Sequence, residues 1–135
     1  MILHLKITGI LLIALSLIHI AFPKYFNWKK ELVGISLINR QMMYAHTFFI
    51  ALVLLLTGIL CVVSAKAITE TQLGNRLALG LFIFWFFRLM IQFFGYSAKL
   101  WKGKMRETVI HVVISLLWSY ICIVFFIVYW STRNI

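Results

Sequence analysis

Four long apolar runs constrain the fold of this chain more than any other feature of its sequence. They cover about residues 2–22, 41–63, 77–97 and 108–130. A helix of ~20 apolar residues matches the ~30 Å hydrocarbon core of a bilayer, where only helices and closed barrels pair all their backbone groups. No soluble core of 135 residues could cover four such runs. The sequence therefore predicts an all-α integral membrane protein.

The composition agrees with four membrane spans in a single domain. Apolar residues make up 64% of the chain and the mean hydropathy is +1.02, whereas soluble domains are about half apolar. The short connections predict that successive helices alternate in direction, as an up-down-up-down four-helix bundle over residues 1–135. Lys6 precedes an apolar run as in a signal peptide, but no small-x-small cleavage site follows, so we interpret this run as a retained first helix.

The strong positive charge predicts the orientation of the bundle rather than nucleic-acid binding. The net charge is +10, and the charges lie in short loops between the apolar runs. Loops 1 and 3 (about residues 23–40 and 98–107) carry eight Lys and Arg residues, against four on the opposite side. The positive-inside rule then places both loops in the cytoplasm, against anionic lipid head groups, with both termini outside. We expect a bacterial inner membrane location.

Loop 1 is also rich in aromatic residues. Tyr25, Phe26 and Trp28 lie among lysines and are followed by aliphatic residues. Such mixtures are typical of segments that lie at the membrane–water interface. The sequence predicts an interfacial amphipathic segment after the first helix.

Polar side chains of all four helices fall at similar depths. By a rise of 1.5 Å per residue, His19, His46 and His111 each lie roughly 6–8 Å inside the face that carries loops 1 and 3. By the same reckoning, Gln92 lies about 10 Å and Arg88 about 16 Å from that face. Cofactor and metal sites in bundles are built from side chains on facing helices. These five residues are therefore the candidate binding site.

The trio of histidines is compatible with two kinds of cofactor. Two of His19, His46 and His111 are candidate axial ligands of a haem b, with Arg88 neutralising the propionates and Gln92 tuning the site. A transition metal is the alternative, because Glu107 lies four residues before His111 on the same helical face. That metal site would consist of His19, His46, His111 and Glu107.

The sequence does not identify the group that interacts with the guanidinium of Arg88. A mid-membrane arginine costs a few kcal/mol and normally faces a partner or a cavity. No acidic residue lies inside any predicted span. Three alternatives remain open: neutral polar groups such as Gln92 and Tyr96, snorkelling towards one face, or a bound anion such as a propionate, a lipid phosphate or a substrate anion.

Three functions are consistent with these features. The first is a membrane bundle that binds haem b or a metal ion and serves electron transfer or a partner enzyme. The second is a non-catalytic accessory or scaffold subunit of a larger complex, and the third is a small anion carrier or channel. The spans hold no paired carboxylates, and the chain has no GxSxG or HExxH motif, so we predict no catalytic residues and no independent enzymatic activity. Partner membrane subunits or further copies of the chain are the expected protein contacts.

Overall fold

A computed structural model describes residues 1–135 and contains helices but no strands. Four of the helices are long and apolar enough to cross a membrane, which confirms the predicted all-α membrane class. In chain order the elements are α1 (Ile2–Tyr25), α2 (Trp28–Glu31), α3 (Leu37–Val63), α4 (Ala65–Glu70), α5 (Gln72–Met90), a π-helical segment (Ile91–Gly95), a 3₁₀ turn (Ala98–Leu100) and α6 (Met105–Thr132).

Three of the four long helices, α3, α5 and α6, begin before their apolar runs do. The start of α3 is capped by the hydroxyl of Ser36, which accepts a hydrogen bond from the backbone N–H of Asn39 at 3.4 Å. The hydroxyl of Thr71 caps α5 in the same way, at 3.0 Å from the backbone nitrogen of Gly74. Such caps satisfy N–H groups that the first turn leaves free. Apolar runs mark the part of a helix that suits lipid, whereas caps mark where the helix begins.

The first helix also extends further than predicted. We expected it to stop at Pro23, but α1 continues to Tyr25. A proline in the last turn removes only the hydrogen bond to the carbonyl four residues earlier, so the helix can end a few residues beyond it.

The segments between the long helices are more helical than the sequence indicated. The predicted second loop, residues 64–76, contains α4 and the first turn of α5. In loop 1 the structure contains a single turn, α2, whose Trp28 is buried and packs edge-to-face on Tyr44 with ring centroids 5.4 Å apart. The interfacial, amphipathic character of this segment remains a prediction.

The chain divides into two compact units, and each contains one pair of long helices. Unit 2 (Leu5–Ala65) pairs α1 with α3. A Cβ atom added to Gly9 would lie 2.6 Å from the carbonyl oxygen of Gly58, and the hydroxyl of Ser16 donates to the carbonyl of Ala51 at 2.8 Å. Later residues of α1 thus contact earlier residues of α3, so the pair is antiparallel. Glycines at this crossing let the two backbones approach closely.

Unit 1 (Met1–His4 with Lys66–Ile135) pairs α5 with α6, also antiparallel. At one end, the amide nitrogen of Asn75 donates to the hydroxyl of Thr132 at 2.9 Å. At the other end, Gln92 meets His111. The complete up-down-up-down order of the four helices remains a prediction.

Candidate functional site

A chain of hydrogen bonds in unit 1 connects three of the predicted site residues. Nη1 of Arg88 donates to Oε1 of Gln92 at 3.3 Å, and Nε2 of Gln92 lies 2.8 Å from Nδ1 of His111. Gln92 is buried, with 6% of the residue's surface exposed. The predicted shared face of Arg88 and Gln92 is therefore present, and His111 of α6 joins it.

The direction of this chain of hydrogen bonds determines the tautomer of a neutral His111 ring. The Arg88 guanidinium has only donors, so the Gln92 amide presents its oxygen to Arg88 and its NH₂ group to His111. Nδ1 of His111 must then accept, and the proton of the neutral ring lies on Nε2. In this state neither ring nitrogen has a free lone pair for a metal ion. For His111 to act as an axial ligand, the Gln92 amide would have to turn over and present its NH₂ group to Arg88.

The backbone around Gln92 departs from a regular α-helix. α5 ends at Met90, and residues Ile91–Gly95 form a π-helical turn that holds Gln92 in its buried position. π-helical turns are rare and often occur at functional sites. The irregular turn lies at the level where the polar side chains of α5 and α6 meet.

Two tryptophans extend the polar site towards the middle of the helix pair. The rings of Trp85 and Trp118 stack with centroids 5.0 Å apart and an interplanar angle of 27°. Cζ of Arg88 lies 5.0 Å from the ring centroid of Trp118 and 5.8 Å from that of Tyr96. A guanidinium over an aromatic face is attracted by the ring's negative face. The aromatic rings thus position Arg88, but they do not neutralise its charge.

The region around Arg88 contains more N–H donors than hydrogen-bond acceptors. The indole nitrogens of Trp85 and Trp118 are buried and have no hydrogen-bond partner. Arg88 has five N–H donors by its chemistry, and one is used, on Gln92. A buried donor without a partner costs roughly 1–3 kcal/mol. We call Trp85, Arg88, Gln92, His111 and Trp118 the Arg88 cluster; its unused groups are donors, as an oxyanion site requires.

The loop after α5 covers the His111 end of the cluster. Trp101 stacks on the His111 ring with centroids 3.8 Å apart and an angle of 10°. The Trp101 carbonyl accepts a hydrogen bond from the Thr108 hydroxyl at 2.7 Å, which ties the loop to the start of α6. The Trp101 ring therefore lies directly on His111.

His19 belongs to unit 2 and has the opposite hydrogen-bonding state. Its Nδ1 lies 2.9 Å from the backbone carbonyl oxygen of Leu15 and can only donate to it. In the neutral ring, Nε2 then carries the free lone pair. This is the arrangement found for most histidines that bind metals or haem, in which the second ring nitrogen donates to a carbonyl or carboxylate.

His46 lies on the same unit as His19 but faces away from it. The residues of α3 that line a cleft beside His19 are Tyr44, Thr47, Phe48 and Ala51. At ~100° per residue, His46 lies roughly 150° around the helix from their common direction. The His46 side chain is exposed. The two histidines therefore have equal predicted depths, but His46 does not face His19.

The predicted metal site finds no support in the structure. No three or more His, Cys, Asp or Glu side chains are grouped so that they could hold a metal ion. Glu107 lies in the first turn of α6 and is exposed. Of the predicted set, the structure joins Arg88, Gln92 and His111 and leaves His19, His46 and Glu107 outside this network. Binding of haem b by any of these residues remains a prediction.

Trp85 and Trp118 were missed as site residues. An aromatic run such as that of α5 is typical of lipid contact and packing. A signal was nevertheless available: Trp85, Arg88 and Gln92 are spaced three and four apart on α5, and Trp118 follows His111 by seven residues. Both spacings put the residues on one helical face.

The chain matches no protein-family model, and no curated protein or solved structure is significantly similar to it.

Proposed function

We propose that this protein binds the oxyanion head group of an amphiphile at the Arg88 cluster, within the membrane. The observation that carries the proposal is the excess of donors: the buried indole nitrogens of Trp85 and Trp118 have no partner, and their rings stack on each other. The guanidinium of Arg88, which has one hydrogen bond, lies over the Trp118 ring. A carboxylate or phosphate accepts several hydrogen bonds at once, and charge-assisted bonds are roughly twice as strong as neutral ones.

The charge of Arg88 supports an anion rather than a neutral ligand. Insertion scales place the cost of a mid-membrane arginine at about 2.5–3.5 kcal/mol. The acidic residues of the chain, Glu31, Glu70 and Glu107, lie at or beyond the ends of the long helices. Gln92 and the rings of Trp118 and Tyr96 orient Arg88 without a compensating charge. An anionic ligand would supply that charge.

A fatty carboxylate, a lipid phosphate and a haem propionate share this oxyanion chemistry. Placement of loops 1 and 3 in the cytoplasm, which we retain as part of the proposal, puts the His111 end of the cluster near the leaflet that is rich in anionic lipids. The same binding step is compatible with two functions. The protein would be either an accessory subunit that holds a lipid, or an anion carrier in which Arg88 provides the selective charge.

Binding measurements in nanodiscs of zwitterionic phosphatidylcholine test the proposal. The probes are dodecanoate, dodecyl phosphate and the neutral methyl dodecanoate, and titration calorimetry provides the affinities. Arg88→Gln should weaken binding of the two anions about 10- to 100-fold, which is the value of a hydrogen bond to a charged group. The tighter of the two anions then identifies a carboxylate or a phosphate as the preferred source.

Arg133→Gln is the matched control for this substitution. Arg133 also lies over a tryptophan, with Cζ 3.7 Å from the ring centroid of Trp130, but it stands just after α6. Its replacement removes the same charge and the same kind of ring contact, and should leave the affinities unchanged. Equal losses in the two variants, or equal binding of methyl dodecanoate and dodecanoate, would contradict the proposal.

Haem b is the second candidate, favoured by the hydrogen bond of His19. Because Nδ1 donates to the Leu15 carbonyl, Nε2 is available as an axial ligand. The structure supports one such histidine in unit 2 and no histidine pair there, since His46 faces elsewhere. Absorption spectra of the purified protein, oxidised and reduced with dithionite, test this candidate. A Soret band that disappears in His19→Ala and persists in His46→Ala is the expected outcome, and a colourless protein counts against it.

A further inference from the structure

Unit 2 contains a cleft that the Arg88 cluster does not use. Its volume is about 190 Å³. A cavity of ~150 Å³ is large enough to hold a benzene molecule, so this cleft accommodates a small ring or the first several carbons of a chain. It is lined by His19, Ile20, Pro23, Tyr44, Thr47, Phe48 and Ala51.

The polar chemistry of the cleft is dominated by acceptors on His19. With its Nδ1 proton donated to the Leu15 carbonyl, the free group of the ring is the Nε2 lone pair. Pro23 also lines the cleft and has no N–H, so the His19 carbonyl lacks the donor that position 23 would normally provide. His19, which is half-buried in an apolar wall, thus has one unused acceptor on its ring and one backbone carbonyl without its usual hydrogen-bond donor.

The remaining polar groups of the cleft do not supply a matching donor to His19. The Thr47 hydroxyl donates to the Met43 carbonyl at 2.9 Å, so its proton is already used. Tyr44 packs its ring edge-to-face on Trp28, and no hydrogen bond joins its hydroxyl to His19, whose ring is hydrogen-bonded to the Leu15 carbonyl. The other lining residues are apolar. A ligand for this cleft therefore needs an apolar body and one hydrogen-bond donor.

We propose that this cleft binds a neutral amphiphile whose hydroxyl group donates a hydrogen bond to Nε2 of His19. No carboxylate lines the cleft, so a cationic head group would find no countercharge there. The cleft lies near the end of α1, where the Phe22 ring contacts His19 and the Phe26 ring contacts Phe22. Aromatic rings are enriched at the level of the head groups. A hydroxyl at that depth with an alkyl or ring body below it fits both the acceptor and the walls. This proposal is independent of the anion site.

The side-chain ¹⁵N spectrum of histidine tests the proposal in the unmodified protein. The chain has four histidines, whose signals are assigned by single His→Gln variants in phosphatidylcholine nanodiscs. Titration with 1-dodecanol should produce a saturable shift of the His19 Nε2 signal towards lower ¹⁵N frequency, as expected for a nitrogen that accepts a hydrogen bond. The ether 1-methoxyundecane has the same length and no donor, and should leave the signal in place.

Two further measurements make the test independent of any one variant. His46 has a similar predicted depth but is exposed on another face of α3, so its signals should not respond to dodecanol. His19→Phe should weaken dodecanol binding about tenfold, the value of ~1.4 kcal/mol for one hydrogen bond, whereas His46→Phe should not. Equal shifts with alcohol and ether, a shift confined to His46, no saturable shift, or a haem or metal ion that occupies Nε2 in the purified protein would each overturn the proposal.

Discussion

At the scale of single residues, the chemistry of His111 and His19 depends on which atom of each hydrogen bond donates and which accepts. Gln92 connects a cation to a histidine, and its amide can serve both because it has an oxygen and an NH₂ group at one end. The resulting state of His111, with its proton on Nε2, is the opposite of the state of His19. Two histidines at one predicted depth thus have different chemistry because their neighbours differ.

Replacement of Gln92 should disrupt this network. Gln92→Leu removes the acceptor of Arg88 and the donor to His111, so we expect a loss of about 1–3 kcal/mol in unfolding free energy. The ¹⁵N signals of His111 should also change from one tautomer to a mixture. Denaturant titration and ¹⁵N spectra are the measurements.

Gln72→Leu is the control for this change, because Gln72 is exposed in the first turn of α5. It should leave both the stability and the His111 spectrum unaltered. An unaltered His111 spectrum in Gln92→Leu would show that Gln92 does not determine the tautomer.

At the scale of the elements, close contact of backbones holds the pair α1 and α3 together. A Cβ atom on Gly58 would lie 2.7 Å from the Gly9 carbonyl oxygen and 2.8 Å from Cγ1 of Ile13. The backbone oxygen cannot move without displacing its helix. Gly58→Ala should therefore destabilise unit 2 by about 1–3 kcal/mol, as overpacking does.

Gly80→Ala is the matched substitution, since nothing lies within 4 Å of its added Cβ. Gly80 is inside α5, where alanine is favoured over glycine by up to ~1 kcal/mol. The two variants should thus shift the unfolding midpoint in detergent in opposite directions. A stabilised Gly58→Ala would show that the two backbones do not approach closely.

Some properties of the elements could be predicted from the sequence and others could not. The four spans and the shared face of Arg88 and Gln92 follow from length, hydropathy and the spacing of i and i+4, which are local properties. The outward facing of His46 depends on how α3 is rotated, and the sequence determines depth far better than rotation. The early starts at Ser36 and Thr71 were missed because the capped turns are polar and were interpreted as loops.

At the scale of the whole molecule, the sequence predicts an orientation that can be measured. The excess of Lys and Arg in loops 1 and 3 predicts that both lie in the cytoplasm. In a bacterial host, Gly34→Cys in loop 1 should react with a membrane-impermeant maleimide only after the cells are opened. Gln72→Cys, between α4 and the body of α5, should react in intact spheroplasts.

The native cysteines do not interfere with this experiment. Cys61 and Cys122 are free and buried, with 0% and 6% of their surface exposed. Gly34→Cys and Gln72→Cys leave the charge of the chain unchanged, so they do not alter the distribution of Lys and Arg from which the orientation is predicted. Labelling of Gly34→Cys in intact spheroplasts would reverse the proposed orientation.

If the buried donors of the Arg88 cluster bind an oxyanion, the NMR signals of the indole N–H groups should report that binding directly. The chain has five tryptophans, so a ¹H–¹⁵N spectrum contains five indole signals, which single Trp→Phe variants assign. Addition of dodecanoate to the protein in nanodiscs should move the signals of Trp85 and Trp118 to higher ¹H frequency, and those of Trp28 and Trp130 should stay in place. Unchanged signals of Trp85 and Trp118, or a response of Arg88→Gln with the same affinity as the unmodified protein, would contradict oxyanion binding at the Arg88 cluster.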